Sequence, residues 1–418
     1  MAREQERLLD HLVRDWPSLT GLPSPCYLID QDKLEANGRI LDRVRKESGC
    51  KILLAQKAFS NFAFYPLLSA YLDGAASSGL FEARLARQHL PADSQVHVYA
   101  PAYKEEDLEA LLDLADVLVF NSFDQWERYK DKVLGHPRPA GRPLSLGLRI
   151  NPGYSEVEVA LYDPASPGSR LGEPASSFLE GLSAGRFQGL QGIHFHSLCE
   201  QGAPVLERTL AAIRQSFGEW PGGLSWINLG GGHHITKGDY DVDLLVRLIR
   251  QVQEESGAAV YLEPGEAVAL DAGLLLAEVL DLFRPAEGTA AILDTSAACH
   301  APDVLEMPYR PAAYLLKAPG GPGGKAAFYP GREEGQEAFN VNLAGPSCLA
   351  GDTFGTYSFP VMPQPGDRVA FCDMAIYTMV KNNTFNGMPL PAIARFDSGS
   401  GLEILRRFSY EDFKSRLG

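Results

Sequence analysis

Eight short apolar runs, alternating with stretches of helical periodicity, constrain the fold of this chain more than any other feature. They lie at residues 52–57, 74–78, 96–100, 117–121, 146–150, 192–197, 226–230 and 260–263. Unbroken apolar runs of this length are typical of parallel strands that are buried on both faces. Eight strand–helix units over roughly 220 residues predict a (β/α)8 TIM barrel, which commonly takes about 250 residues.

The residues on either side of these units have a different pattern. The run at 26–30 follows two prolines, and Asp30 can cap a helix that continues through Arg45. Short β-type runs separated by turn residues follow at 290–293, 313–316, 338–343, 367–372 and 376–380. We expect a barrel over residues 31–275 and a mostly β domain built from residues 1–30 and 276–418, in which the run at 26–30 joins the later sheet.

Composition narrows the classes of partner. The 418 residues include 38 Lys and Arg against 53 Asp and Glu, a formal net charge of −15. That excess argues against binding nucleic acid or an anionic membrane, and it is compatible with a cationic small molecule as well as with plain solubility. Six scattered cysteines without a CxxC pair, a charged N-terminus and no apolar run of about 18 residues predict a reduced, cytoplasmic protein without a membrane span.

Five of the eight runs carry or end in residues that could take part in chemistry. Because the active sites of such barrels lie at the carboxyl ends of the strands, we expect these residues to share one face. They are Lys57, Arg149, His194 with His196, the glycines Gly230, Gly231 and Gly232 with His233 and His234, and Glu263.

Most of these residues have both a functional and an ordinary interpretation. A desolvated Lys57 could form a Schiff base, or its ammonium could reach solvent at the strand end. The three glycines could bring backbone amides to a phosphate, or could form a common turn. Glu263 in a closed barrel needs a cation, which could be a protonated ring nitrogen or Arg149.

His194 and His196 occupy alternate positions and therefore face the same side of their strand. They could bind a metal together with His233 and His234, as in metal-dependent barrel hydrolases, or form a flat contact surface for a cofactor ring. The metal alternative leaves the lysine and the glycine run without a role. A lysine, a glycine loop, a flat histidine and a carboxylate are together the set that pyridoxal 5′-phosphate requires.

Several longer strings carry a family resemblance. They are GIHFHSLCE at 192–200, NLGGGHHI at 228–235, LEPGEA at 262–267, DTS at 294–296, PDVLEMP at 302–308, GPSCLAG at 345–351, and YTMVK at 377–381 with TFNG at 384–387. With these strings in this order, the chain resembles the fold-type III pyridoxal-phosphate decarboxylases, the alanine racemase-like group that includes ornithine and diaminopimelate decarboxylases. Within that family it is similar to the carboxynorspermidine and carboxyspermidine decarboxylase branch.

The resemblance implies pyridoxal 5′-phosphate as the cofactor, bound in the barrel. It implies that Lys57 carries the cofactor, that His196 stacks on its ring and that Glu263 binds the ring nitrogen. It also implies that Gly230–Gly232 and Tyr377 hold the phosphate.

The family assembles as a head-to-tail homodimer. The resemblance implies that Cys348 reaches the site from the partner subunit and supplies a proton. The ordinary alternative for Cys348 is a buried free cysteine.

Glu266 departs from the family pattern. Many relatives have Arg here and use it to bind phosphate, which a carboxylate would repel. The similarity to the carboxynorspermidine branch instead assigns Glu266 and Asp303 to the cationic amines of a polyamine, with Asp294, Glu306 and His234 as further candidates. The ordinary interpretation of Asp303 and Glu306 is solvated loop charge.

The expected function is therefore decarboxylation of carboxynorspermidine, carboxyspermidine or both, to norspermidine or spermidine, in polyamine biosynthesis. Three alternatives stay open at this point. The chain could be a diaminopimelate- or ornithine-type decarboxylase, a non-catalytic homologue that acts by binding partners, or a metal-dependent hydrolase.

Overall fold

The computed structural model describes residues 2–138, 141–320 and 324–418. These residues form two compact units. The first is Glu35–Val268, and the second joins the two ends of the chain, up to Leu34 and from Ala269 onward. Within the described ranges, no helix combines the length and the hydropathy needed to cross a membrane.

The first unit, called the barrel unit below, contains a closed barrel of eight parallel strands. They are Lys51–Ala55, Gly74–Ser77, Gln95–Tyr99, Val117–Phe120, Ser145–Asn151, Gly192–His194, Trp226–Asn228 and Ala259–Leu262. Each strand pairs with the next one, and the last pairs with the first. The predicted eight-stranded barrel is therefore confirmed. A two-residue strand, Glu173–Pro174, pairs beside the end of the fifth strand.

Helices alternate with the strands. The longer ones are Gln31–Ser48, Leu80–His89, Glu105–Leu114, Phe123–Gly135, Ala175–Ser183, Ala203–Phe217 and Val242–Ser256, and the short turns are Phe62–Phe64, Tyr65–Leu68, Ala160–Tyr162 and Glu266–Ala269. The side chain of Asp30 accepts the Lys33 backbone N–H at 3.2 Å, which confirms the predicted cap of the first helix in this set. Helix Val242–Ser256 ends at Gly257 in the left-handed conformation that favours glycine.

Aromatic side chains fill the interior of the barrel. Trp226 and Tyr261 belong to one buried cluster, and the ring of His97 lies 4.7 Å from that of Tyr261. Gly147 and Gly192 make room for the indole, since an added Cβ would approach Trp226 to 2.2 and 2.0 Å respectively. The interior is packed, so any chemistry takes place at an end of the barrel.

The second unit, called the β unit below, is built on a sheet of ten described strands. They are Cys26–Asp30, Gly273–Phe283, Ala290–Leu293, Ala313–Lys317, Ala327–Pro330, Phe339–Ala344, Thr353–Phe359, Arg368–Cys372, Ala392–Asp397 and Gly401–Arg406. Cys26–Asp30 pairs antiparallel with Gly273–Phe283 and parallel with Ala392–Asp397. The N-terminal run thus joins the later sheet, as predicted.

Several elements of the β unit differ from the prediction. Four of its strands were not predicted: Ala327–Pro330, Thr353–Phe359, Ala392–Asp397 and Gly401–Arg406. The run at 376–380, predicted as a strand, overlaps the helical turn Thr378–Lys381, because a short apolar run looks alike in a buried strand and a buried turn. The strand Gly273–Phe283 was not predicted either. Its Leu, Ala and Glu residues favour helix, and pairing with strands on both sides overrides that preference.

The remaining helices of the β unit are mostly short. They are Ala2–Arg14, Trp16–Gly21, Ala297–His300, Asp303–Glu306, Thr378–Lys381 and Tyr410–Lys414, with a 3-10 turn at Phe385–Gly387. Leu8, Leu9 and Leu12 of the first helix are buried in one cluster with Leu274 and Phe396 of the sheet. This packing holds the N-terminal helix on the β unit.

Candidate active site

Lys57 lies just beyond the first barrel strand rather than inside it. That strand ends at Ala55, and the Lys57 side chain is exposed, so the prediction of a lysine within the strand is wrong by two residues. The buried side chain is that of Gln56, whose Oε1 accepts a hydrogen bond from Ser77 at 3.2 Å. Although solvent reaches Lys57, the protein around the ammonium lowers its pKa, and Arg149 lowers it further. Lys57 is an accessible amine that loses its proton more readily than an ordinary lysine.

Glu263 follows the eighth strand and is held by groups from two other strands. His194 Nε2 lies 3.3 Å from Oε2, and Asn228 Nδ2 donates to Oε1 at 2.7 Å. Burial alone would raise the pKa of Glu263, but the nearby His194 and His97 and the Asn228 amide lower it to about 2. The carboxylate is therefore ionised at neutral pH, and it suits a protonated ring nitrogen.

His196 is held in one tautomer by the glycine loop. The Gly231 backbone N–H donates to His196 Nδ1 at 2.8 Å, so the ring hydrogen of the neutral imidazole is on Nε2. Burial, reinforced by Lys57, keeps the pKa of His196 well below its usual value. A neutral imidazole with a fixed ring is suited to lie against a cofactor ring.

The three glycines are required by close packing of the backbone. A Cβ would lie 2.4 Å from Phe195 O at Gly230, 2.1 Å from Glu263 O at Gly231, and 1.8 Å from Leu198 O at Gly232. Two of their amides already have protein acceptors, since Gly230 N–H donates to Asn228 Oδ1 and Gly231 N–H donates to His196 Nδ1. Within the described residues, only the Gly232 amide of the three is left to donate to a phosphate.

The structure gives His194 and His196 separate partners. His194 pairs with Glu263, while the Nδ1 of His196 accepts the Gly231 amide. Among the described residues, the group whose ligand atoms lie close enough for a metal is Glu200, His234 and Glu266, which contains neither histidine of the pair. The pair therefore does not form the site that the hydrolase alternative requires.

Glu266 lies in a cluster with Glu200 and His234. His234 Nε2 is 3.2 Å from Glu266 Oε1, and one ligand atom from each of the three residues lies within 4.8 Å of the others. Burial lowers the pKa of His234, but the Glu266 carboxylate outweighs it and raises the pKa. Two carboxylates beside one imidazole leave the cluster net acidic, which suits a cationic ligand.

Asn228 and Arg149 are site residues whose roles the sequence did not predict. Asn228 is fully buried and links Glu263 to the glycine loop, and its place two residues before Gly230 is the signal that could have revealed it. Arg149 was weighed only as an ion-pair partner of Glu263. Its guanidinium instead lies 4.6 Å from the centre of the Tyr99 ring, and its Nη2 donates to His196 O at 3.2 Å.

In the β unit, Cys348 lies on an exposed loop, so the alternative of a buried free cysteine is wrong. Asp352, which is buried, holds that loop. Its Oδ2 accepts the Ser347 N–H at 3.3 Å, while its Oδ1 accepts the Ser296 hydroxyl at 2.9 Å and the Ala298 N–H at 3.2 Å. One carboxylate thus ties the loop that carries Cys348 to the start of the helix at 297–300.

The other predicted residues of the β unit already have protein partners. Asp294 Oδ1 accepts the Glu278 N–H at 2.8 Å, and burial raises its pKa. Asp303 and Glu306 both pair with the ammonium of Lys381, at 2.9 Å in the case of Glu306 Oε2. Asp303 is buried, so the interpretation as solvated loop charge is wrong for that residue.

Comparison with known proteins identifies the family to which this chain is similar. A family model described as "Pyridoxal-dependent decarboxylase, C-terminal sheet domain" matches residues 26–375. The chain is 40% identical over 403 residues to the carboxyaminopropylagmatine decarboxylase of Synechocystis sp., covering 96% of this chain and 97% of that protein. It is 38% identical over 401 residues to the carboxynorspermidine/carboxyspermidine decarboxylase of Campylobacter jejuni, covering 94% and 98%.

Solved structures agree with this. The crystal structure of carboxynorspermidine decarboxylase from Campylobacter jejuni complexed with norspermidine superposes with a TM-score of 0.81 at 37% identity, over 94% of this chain and 100% of that one. Diaminopimelate decarboxylase from Helicobacter pylori has a TM-score of 0.77 at 18% identity, over 96% of this chain and 99% of that one, which supports the fold alone.

Proposed function

The chain belongs to the pyridoxal-dependent decarboxylases, and from this premise we propose that it removes CO2 from a carboxylated polyamine such as carboxynorspermidine or carboxyspermidine. The products are then norspermidine or spermidine. The main observation in support is the acidic cluster of Glu200, His234 and Glu266. Within it, Glu266 lies three residues along the chain from Glu263, the carboxylate suited to a ring nitrogen. The carboxylates of this cluster can pair with the ammonium groups of a long polyamine. The names of the relatives support the same substrate class.

We propose that residues 31–275 form a cofactor-binding barrel domain, and the residues of the barrel unit fit pyridoxal phosphate. Glu263 offers an ionised carboxylate for the ring nitrogen, and His196 offers a neutral ring for stacking. Lys57 offers an amine of lowered pKa as the covalent holder. When bound, pyridoxal phosphate supplies the sink for the electron pair left on Cα as CO2 departs.

The residues around Glu263 keep that sink effective. An ionised Glu263 holds the proton on the ring nitrogen, and His194 and Asn228 fix the two carboxylate oxygens in place. We propose that the Gly232 amide and Tyr377 bind the phosphate, with Gly230 and Gly231 needed for close packing.

The acidic residues of the barrel unit are the proposed binding site for the cationic substrate. We propose that Glu266 and Glu200, with His234 between them, bind the ammonium groups of the polyamine. Asp294, Asp303 and Glu306 were candidates for the same task, but their carboxylates are bonded within the β unit. One methylene is worth only about 1–3 kcal/mol in binding, so we expect carboxynorspermidine and carboxyspermidine both to be accepted.

Cys348 is proposed to return the proton to Cα. Its exposure and the tethering of its loop by Asp352 support a role at a surface that a second copy of the chain completes. We therefore propose a homodimer with shared sites. A cytoplasmic location is proposed as well, supported by six cysteines without a disulfide among the described residues.

A substrate panel tests the proposed function. The purified holoenzyme is assayed for CO2 release with carboxynorspermidine, carboxyspermidine, carboxyaminopropylagmatine, diaminopimelate and ornithine. We expect kcat/KM for the carboxylated polyamines to exceed that for the two amino acids by at least about 10²-fold. Each polyamine carries two cationic groups beyond the α-amine on a long chain, whereas diaminopimelate and ornithine are shorter and carry one, so a site built to pair two distal cations discriminates against them. Comparable rates with diaminopimelate or ornithine would favour the amino-acid alternative. Bound cofactor without CO2 release from any of the five would favour the non-catalytic alternative.

A further inference from the structure

The turn that follows Tyr377 needs support from outside itself. Helix Thr378–Lys381 has four residues, and helices this short are unstable without tertiary contacts. Tyr377 itself has φ of 44°, in the left-handed region that non-glycine residues rarely adopt. The string YTMVK at 377–381, which the sequence marked as distinctive, therefore depends on contacts with other segments.

Lys381 makes the strongest of these contacts. Its Nζ donates to Asp303 Oδ1, and to Glu306 Oε2 at 2.9 Å. The Asp303 side chain is 8% exposed, so it needs a cation beside it, and Lys381 is that cation. The Lys381 backbone N–H also donates to Tyr377 O at 2.9 Å, and its ammonium lies 5.9 Å from the centre of the Tyr377 ring.

Asn383 holds the same turn to the neighbouring segment. Its backbone N–H donates to Cys299 O at 2.8 Å, and its Nδ2 donates to Ala298 O at 2.9 Å. Residues of the segment 298–306 thus bind both Lys381, at the end of the turn, and Asn383, two residues after it. The backbone on the far side of Tyr377 enters the turn from buried Ile376.

The ammonium of Lys381 competes with a substrate ammonium for Asp303 and Glu306, and it has the advantage of being part of the same chain. A group on a short tether has an effective concentration on the order of millimolar or more. Enzymes commonly bind substrates with KM of about 1 μM to 1 mM. A polyamine that bound Asp303 and Glu306 would first have to displace Lys381, the cation that already compensates the buried Asp303 carboxylate.

We propose that Asp303 and Glu306 act through Lys381 to position Tyr377 for the cofactor phosphate, and do not bind the ammonium groups of the substrate. The inference rests on the proposed function in that it takes Tyr377 as a phosphate ligand. It makes Lys381, Asp303 and Glu306 positioning residues, and leaves polyamine recognition to the acidic cluster of the barrel unit.

The test separates cofactor affinity from substrate affinity. Apoenzyme is titrated with pyridoxal phosphate, and the KM for carboxynorspermidine is measured at saturating cofactor, for wild type, Y377F, K381M, K381R, D303N and E306Q. We expect K381M and Y377F to weaken cofactor binding about tenfold or more while KM changes less than about twofold. K381R, which keeps the cation, should restore most of the affinity. E266Q is the matched control, and it should raise KM and leave cofactor affinity unchanged.

Other outcomes would overturn the inference. If D303N or E306Q raises KM about tenfold, or K381M lowers it, with cofactor affinity unchanged, these acids bind substrate. If Y377F binds cofactor normally, the premise about the phosphate is wrong. E306Q lies at the exposed end of the triad, so it tests the inference even if D303N does not fold. Failure of the wild-type enzyme to bind the cofactor or release CO2 would instead refute the proposed function.

Discussion

The two units of the molecule hold their functional residues in different ways. In the barrel unit, Glu263 and His196 follow strand ends, and backbone contacts of the glycine loop hold them. In the β unit, Cys348 and Tyr377 lie on irregular segments, and single charged side chains hold those segments in place. A site at strand ends is therefore placed by the topology of the sheet. A site on loops depends on a few cross-links that can each be removed by one substitution.

The largest loss of activity is expected from a substitution in the barrel unit. Replacing Lys57 with Ala should lower kcat at least about 10³-fold, because the amine that holds the cofactor covalently is lost. The visible absorption band of the lysine-bound cofactor should disappear with it. Lys51→Ala is the matched control, since Lys51 lies at the opposite end of the same strand. An unchanged spectrum and rate in the Lys57 variant would contradict the account.

Glu263 should give the next largest effect. Glu263→Gln is expected to reduce kcat about 10²- to 10³-fold, because a neutral amide cannot keep the ring nitrogen protonated. Since the pKa of Glu263 is lowered to about 2, wild-type kcat should show no fall from protonation of this residue down to about pH 5. A pH–rate profile with an acidic limb that disappears in the variant would mean that Glu263 titrates near neutral pH. Glu255→Gln, at an exposed ion pair with Arg214, is the control.

Asp352 tests the loop side of the comparison. In Asp352→Asn one carboxylate oxygen becomes an NH2 group, which cannot accept a hydrogen bond. The side chain can then no longer accept from Ser347 on one side and from Ser296 and Ala298 on the other, so the Cys348 loop should lose its fixed position. We expect kcat to fall about tenfold while KM and cofactor affinity stay the same. Asp397→Asn removes a similar turn contact on an exposed loop of the same unit and should change none of the three.

His234 should give the smallest effect, seen in stability. Its pKa is raised in the folded protein by Glu266, so its contribution is present in full below the unfolded pKa and is lost as the pH rises through the folded pKa. The free energy of unfolding of wild type relative to His234→Gln should thus be larger at about pH 6 than at about pH 8.5, by less than about 1.5 kcal/mol. Urea titrations at the two pH values measure this. A difference that grows with pH would mean that His234 is neutral in the fold.

The same contrast explains what the sequence could predict. The eight barrel strands could be predicted because each is a short apolar run. Lys57, His196 and Glu263 could be proposed as site residues because they lie at the ends of such runs. Gly273–Phe283 was missed because its composition favours helix, and only pairing with distant strands makes it extended.

The loop contacts left no comparable signal. Ser296 and Asp352 are 56 residues apart, and Asp303 and Lys381 are 78 apart. No local pattern marks either pair, so Asp303 and Glu306 looked available to a substrate when their partner was in fact Lys381. The motif strings located the right segments, but not which side chain within each segment meets which.

Complementation between inactive subunits tests the central claim that barrel and loop residues from two copies of the chain form one site. Lys57→Ala and Cys348→Ala chains with different affinity tags are co-expressed, and the doubly tagged species is assayed for CO2 release from carboxynorspermidine. Each variant alone should lose at least about 10²-fold in kcat. Random pairing gives half heterodimers with one intact site in two, so the mixture should regain about a quarter of wild-type activity and the purified heterodimer about half. A purified heterodimer no more active than the two parents would contradict a shared site.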